Sequence, residues 1–167
     1  MIVYNTEVIN KIKGWFLANK KTIAVAESVT AGHLQAALSI ATDASIFFQG
    51  GITTYNIGQK CRHLHIEPTH ALECDSVSAL VADSMAKNVC GLFLSDYGIG
   101  VTGYASLVPE KGISNLFAYL SIANKDSVIL GKQITVDEPD SYHAQIHYTN
   151  IILDELSAIL PPVLKSK

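Results

Sequence analysis

Apolar residues along the chain recur at two periods, and the switches between them mark the elements. Over 5–19, Val8, Ile9, Ile12, Trp15 and Phe16 repeat at helical spacing with polar residues between them. Asn5 or Thr6 is the cap of this helix, and Lys20-Lys21 lies at its C-terminal end, where cations suit the helix dipole. The run TIAVA at 22–26 is short, apolar and partly β-branched, the pattern of a buried strand. Residues 27–32 then turn into a second helix over roughly 30–41, with Leu34, Ala37 and Leu38 inward. Residues 45–51 read as a turn with one apolar knot, and 52–55 as the second strand. Asn56 and Gly58 break that strand, 59–65 starts a short helix, and Pro68 interrupts the chain again. The clearest helix is 77–93, with Val77, Leu80, Val81, Met85, Val89 and Leu92 on one face and Asp75 or Ser76 as its cap. Residues 97–102 read as a third strand followed by Gly103, and 108–114 as a polar loop bearing Gly and Pro. Residues 116–123 and 127–136 form a hairpin joined by Asn124-Lys125-Asp126. A last helix, 143–160, ends at Pro161-Pro162.

Strands that alternate with helices, followed by a hairpin, predict an α/β chain: a three-layer α/β/α domain with a mixed sheet. The length, 167 residues, fits a single domain over 1–167. With 49% hydrophobic residues the chain can bury a core without disulfides or metal. No apolar run approaches the roughly 18 residues of a bilayer span. The N-terminus lacks a basic patch followed by an apolar stretch, which speaks against a secretory signal. Cys61, Cys74 and Cys90 are odd in number and irregular in spacing, the mark of a reducing compartment rather than a disulfide framework. No CxxC pair is present, so no metal is expected. The net charge is -3 and the lysines cluster only weakly, so nucleic acid is not an expected partner. The expectation is a cytoplasmic protein with no membrane attachment and no cofactor, and a small neutral-to-anionic metabolite held by a local positive pocket stays open as its ligand.

The chemistry concentrates at Ala26-Glu27-Ser28-Val29-Thr30-Ala31-Gly32. A strand that stops at a helix N-terminus presents unpaired N–H groups and the positive end of the helix dipole, which can hold an anion or an oxyanion. Ala31 and Gly32 are small enough for a ligand to approach the backbone. Ser28 and Thr30 offer hydroxyls, although both are also favoured N-cap types. A serine nucleophile needs a base, and a lysine can serve where burial or positive charge lowers its pKa. Lys60 follows the second strand and so lies at the same end of the sheet as Ser28. Tyr55, at that strand's end, could relay a proton or orient a substrate, or be only a half-buried sheet residue.

The segments TIAVAESVTAG (22–32), FQGGITTYNIGQK (48–60), VSALVADSMA (77–86) and DYGIGVTG (96–103) occur in this order. Together they resemble the C-terminal domain of the CinA family, the competence/damage-inducible proteins, also found as stand-alone nicotinamide-nucleotide amidases. The resemblance runs from about residue 5 to about residue 157 and is sharpest at AES-x-T-x-G and TY-x₄-K. It implies metal-independent hydrolysis of the carboxamide of nicotinamide mononucleotide to nicotinic acid mononucleotide and ammonia. Ser28 would be the nucleophile, and Lys60 with Tyr55 would manage protons. Glu27, Thr30, Ala31, Gly32 and Gly103 would form the substrate-binding surface, with backbone donors near 30–32. It also implies a homo-oligomer, for which the long apolar faces and the 104–114 loop offer contacts.

Several positions depart from the family pattern. AESCTGG reads AESVTAG, with Val29 for Cys and Ala31 for the first Gly. GIAGP reads Gly103-Tyr104-Ala105-Ser106-Leu107, and the Gly-Thr pair that usually opens the next strand reads Leu116-Phe117. The family's arginines near the last helix fall at about Pro139-Asp140-Ser141 and Gln145-Ile146, and Arg62 is the only arginine in the chain. His143 and His147 lie one helical turn apart there and read chiefly as surface polar residues. Two expectations therefore stand side by side: an amidase, or a divergent domain that keeps the fold but binds a ligand or protein without turnover.

Overall fold

The structure is a computed structural model that describes residues 3–125 and 127–162. Its elements are α1 (Thr6–Asn19), β1 (Ile23–Glu27), α2 (His33–Ser39), α3 (Ala44–Phe47), β2 (Phe48–Thr53), α4 (Ile57–Leu64), α5 (Pro68–Glu73), α6 (Ala79–Phe93), β3 (Tyr97–Gly103), β4 (Leu116–Asn124), β5 (Ser127–Val136) and α7 (Ser141–Ile159). They build a five-stranded sheet in the order β2-β1-β3-β4-β5. The first three strands run parallel, and β4 and β5 join as an antiparallel hairpin. The sheet is therefore mixed, as the strand–helix alternation followed by a hairpin predicts.

Alternate residues of β1 feed two cores. Ile23 and Val25 pack with Ile99 and Val101 under α1, α2, α3 and α7. Ala24 and Ala26 face the opposite way, toward Leu64 of α4, Ala71 of α5, and Val81, Met85 and Val89 of α6. The strand is covered on both sides, which is why TIAVA carries no polar alternation. On the α6 side the helix lies directly on β3. A Cβ on Gly98 or Gly100 would run into the carbonyl oxygens of Ala86 and Ala82.

Four sequence readings are corrected. The stripe α6 buries is Val81, Ala82, Met85, Ala86, Val89 and Cys90, while Leu80 and Leu92 are 57% and 50% exposed. Small Ala82 and Ala86 let the helix come down on the β3 glycines, and this rotates the two leucines outward. Ser78, not Asp75 or Ser76, caps α6 through the Val81 N–H; Asp75 and Ser76 sit at φ 52° and 57°. Pro68 starts a helix instead of interrupting one. It stands at the first turn of α5, where its missing N–H costs nothing, and the Glu67 carboxylate takes the N–H groups of Thr69 and His70. Finally, β2 begins at Phe48 and ends at Thr53 instead of spanning 52–55. Glycine reads as a turn, but a Cβ on Gly51 would meet Val25 and Gln35, so close packing decides this segment over propensity. Of the hairpin turn, Asp126 lies outside the described residues.

Candidate functional site

The carboxyl ends of β1, β2 and β3 open on one cavity of about 570 Å³. This is the position where open parallel sheets bind ligands. Period-two alternation assigns the last residues of β1 to different tasks. Glu27 falls on the face of α2, while Ser28 falls on the face of Ala24 and Ala26, toward α4. The Ser28 N–H still donates to the Val101 carbonyl at 3.1 Å, so the sheet fixes its backbone. Ser28 is 6% exposed and lines the cavity.

Glu27 is fully buried, and its carboxylate closes the start of α2. One oxygen accepts from the Thr30 hydroxyl at 2.6 Å and from the N–H groups of Gly32 and Leu34 at 3.0 Å each; the other accepts from Gln35 N–H at 2.8 Å. Ala31 N–H donates to the Ser28 carbonyl and His33 N–H to that of Thr30. Every backbone donor from 31 to 35 is thus engaged inside the protein. Neither Ser28 nor Thr30 is the N-cap; Gly32 occupies that position and has no side-chain bond of its own. Among the described residues the Val29 and Thr30 N–H groups carry no hydrogen bond, and Val29 lines the cavity. Ala31 takes φ 50°, a left-handed conformation that costs an alanine about 1 kcal/mol.

Lys60 enters from α4, which Asn56 caps through the Gln59 N–H. It lines the same cavity as Ser28 and is only 3% exposed. Its amine makes no hydrogen bond or ion pair with any described residue. Burial lowers its pKa from 10.5 to about 8, against the opposing pull of the Asp75 carboxylate and Cys61. At neutral pH about one molecule in ten therefore carries the free amine. Tyr55 follows β2 at the cavity rim, 71% exposed and without a hydrogen bond to any described residue. Gly103 ends β3 on the cavity wall, packed against Ala118. Glu27, Thr30, Ala31 and Gly32 do not line the cavity; they build the support behind Ser28.

The remaining walls come from residues to which the sequence reading gives no role at the site. Asp75 faces the cavity with its carboxylate held by Lys111 Nζ at 2.7 Å and the Tyr104 hydroxyl at 3.1 Å. The bond from Lys111 in particular keeps its pKa below the usual carboxylate range. Burial, reinforced by Asp75, pushes the Tyr104 hydroxyl up to about 12. Tyr104 is fixed from behind, its N–H on Phe117 and its carbonyl receiving the Tyr148 hydroxyl. Ser141 and Gln145 of α7 complete the lining. Asp140 caps that helix, accepting from the His143 N–H at 3.0 Å and pairing with its Nδ1 at 2.8 Å. His143 and His147 are exposed and paired with Asp140 and Glu138. No sequence signal marked Asp75, since Asp before a helix usually reads as a cap.

Comparison with known proteins gives one consistent answer. The CinA C-terminal domain family matches residues 5–145. A putative competence-damage inducible protein of Streptococcus agalactiae is 37% identical over 108 residues, covering 65% of this chain and 26% of that protein. Its counterpart in Streptococcus equi subsp. zooepidemicus is 36% identical over 137 residues, covering 79% and 32%. The chain thus spans about a quarter to a third of the length of these curated relatives. Among solved structures, the competence damage-inducible protein A of Klebsiella pneumoniae superposes with a TM-score of 0.88 at 22% identity, covering 95% of this chain and 98% of that one. An Escherichia coli protein of the competence-damaged (CinA) superfamily gives 0.80 at 22%, covering 93% and 94%. At such identities the structural likeness speaks for the fold. Among the described residues, no helix is long and apolar enough to cross a membrane.

Proposed function

The chain belongs to the CinA C-terminal domain family, and from that premise we propose that it is a serine amidohydrolase acting on a carboxamide of the nicotinamide nucleoside and nucleotide class. One observation carries the reading. A buried serine and a buried, unpaired lysine whose pKa has fallen to about 8 line the same cavity at the ends of the parallel strands. The neutral Lys60 amine takes the Ser28 proton as Oγ attacks the amide carbon. The tetrahedral oxyanion lies beside the Val29 N–H, the unengaged donor next to the nucleophile. Collapse breaks the C–N bond, the Lys60 ammonium protonates the leaving nitrogen, and ammonia departs from an acyl-Ser28 ester. Water, deprotonated by Lys60, attacks the ester carbon; the C–Oγ bond breaks, the Lys60 ammonium returns the proton to Ser28 Oγ, and the carboxylic acid leaves. Tyr55 closes the mouth of the cavity over the ring of the substrate.

Binding without turnover is the second reading, and one observation favours it. Glu27 consumes the donors at the start of α2, leaving a sparse oxyanion site. A single such donor is worth about 10²–10³ in rate. Ammonia release measured on the wild type, Ser28→Ala and Lys60→Ala decides between the two. The amidase reading expects release that both substitutions abolish. Wild-type release no greater than that of Ser28→Ala overturns it in favour of binding alone.

A further inference from the structure

We infer that the first turn of α4 and Lys60 form an oxyanion site inside the cavity, and that the carboxylate product of the reaction occupies it and restrains the enzyme; this rests on the amidase reading above and adds the regulation of that site. Two helices present their first turn to the cavity, α7 at Ser141 and α4 at Asn56, Ile57 and Gly58. The α7 start is closed by the Asp140 carboxylate, which takes the His143 backbone and ring. The α4 start is capped by a neutral side chain, since Asn56 accepts from the Gln59 N–H at 3.0 Å. The Ile57 and Gly58 N–H groups carry no hydrogen bond among the described residues, so the positive end of α4 stays open to the cavity.

Lys60 is the second, independent feature. It is 3% exposed, lines the same cavity and makes no hydrogen bond or ion pair with any described residue. It stands three residues after Ile57, and a helical side chain leans back toward the N-terminus of its own helix. The amine is thereby carried toward the unengaged N–H groups. At neutral pH most molecules carry it as the ammonium. Two N–H groups and a cation thus share one stretch of wall. Asp75, the lining carboxylate, is held by Lys111 at 2.7 Å and by the Tyr104 hydroxyl at 3.1 Å.

Hydrolysis changes what this wall meets. The substrate amide turns its NH₂ toward Lys60, which protonates the leaving nitrogen. That group is a donor and cannot accept from the Ile57 and Gly58 N–H groups. After turnover the oxygen of the water delivered by Lys60 stands in its place, and at neutral pH the acid is ionised. A carboxylate oxygen accepts from the N–H groups and from the ammonium in charge-assisted bonds. The product is therefore held more tightly than the substrate. It also keeps Lys60 protonated, because an opposite charge favours the charged form, and the base stays idle until the acid leaves.

The test is titration calorimetry at pH 7 on Ser28→Ala, which leaves its ligands intact, with nicotinic acid riboside, nicotinamide riboside and inorganic phosphate. The acid is expected to bind about tenfold or more tighter than the amide. Adding Lys60→Met is expected to remove that preference. Adding Ile57→Pro deletes one N–H at the first helical position, where proline is tolerated. It is expected to narrow the preference by about threefold relative to Ile57→Ala, which trims the side chain and keeps the N–H. In the wild type the acid is expected to inhibit ammonia release competitively. Equal or tighter binding of the amide, binding of neither riboside, a preference unchanged in Lys60→Met, or phosphate binding more tightly than the acid overturns the inference. Ammonia release without a preference for the acid leaves the amidase reading standing alone. A preference for the acid without ammonia release overturns the amidase reading and leaves the oxyanion site standing.

Discussion

Replacing Lys60 by Met tests the site through the stability of the fold. A lysine kept for structure is held by partners, and its loss destabilises. Lys60 is 3% exposed and makes no ion pair or hydrogen bond with any described residue, and its pKa falls from 10.5 to about 8 because burial penalises the ammonium. That fall is equivalent to about 3 kcal/mol against folding at neutral pH. Met fills nearly the same volume without a charge. Allowing for water in the cavity, Lys60→Met is expected to be more stable than wild type by about 2 kcal/mol at pH 7. The sign with pH follows from the direction of the shift. Below about pH 8 both folded and unfolded chains carry the ammonium, so the penalty is fully present. Between about 8 and 10.5 the unfolded chain binds more protons, so wild-type stability rises with pH. Above 10.5 the gap between the two proteins closes. Urea denaturation at pH 7, 9 and 10.5, with equal m-values, measures it. A variant less stable than wild type at pH 7, or a difference independent of pH, refutes the account of Lys60 as a destabilising group kept for chemistry. Ammonia release from the wild type should in parallel rise with pH to a midpoint near 8.

Three further perturbations follow from the same geometry. Glu27→Gln turns the acceptor facing Gln35 N–H into a donor; a loss of about 3–5 kcal/mol in urea melts is expected, and less than about 1 would show that the carboxylate does not hold α2. Ala31→Gly relieves the left-handed backbone at φ 50° and should stabilise by about 0.5–1 kcal/mol after the added freedom of the unfolded chain, read as a higher urea midpoint. Asp75→Asn removes the carboxylate that favours the Lys60 ammonium, so the midpoint of the pH–rate profile should move below that of wild type; an upward move contradicts the assigned electrostatics.

How far the sequence discloses this site depends on the distance between its parts. The apolar run at 22–26, the turn after it and the break at Asn56 carry local signals, and they suffice to put Ser28 and Lys60 at one end of the sheet. The closing hairpin is equally plain, because its strands are adjacent in sequence. Asp75 is different. It reaches the cavity through two successive left-handed residues after α5 and is held by Tyr104 and Lys111, some 30 positions on. No periodicity reports such an encounter. Glu27 shows the subtler failure. In sequence it reads as a polar residue at a ligand-binding turn, and only the path of α2 past it reveals four internal donors. On α6 the pattern puts Leu80 and Leu92 on the buried face and passes over Ala82, Ala86 and Cys90, for the same reason. Large leucines dominate a hydrophobicity pattern, but the β3 glycines bring the backbone of Ala82 and Ala86 down onto the strand, with Met85, Val89 and Cys90 beside them.

The engagement of Glu27 bears directly on the chemistry of its neighbour. A carboxylate one residue from the nucleophile would, if it faced the cavity, raise the pKa of Lys60 and hold the base protonated. The sheet prevents this by alternation, turning Glu27 to the α2 side, and α2 then saturates it with four hydrogen bonds. Asp140 and Glu138 near the cavity's far wall are likewise paired, with His143 and His147. Asp75, and after it Cys61, are left to oppose the effect of burial on Lys60, and Lys111 and Tyr104 draw on the charge of Asp75. The low lysine pKa therefore reflects burial outweighing Asp75 and Cys61, with the carboxylates at α2 and α7 engaged elsewhere. Freeing a carboxylate at α2 or α7 should move the pH–rate midpoint upward, even though neither helix start touches the Lys60 amine.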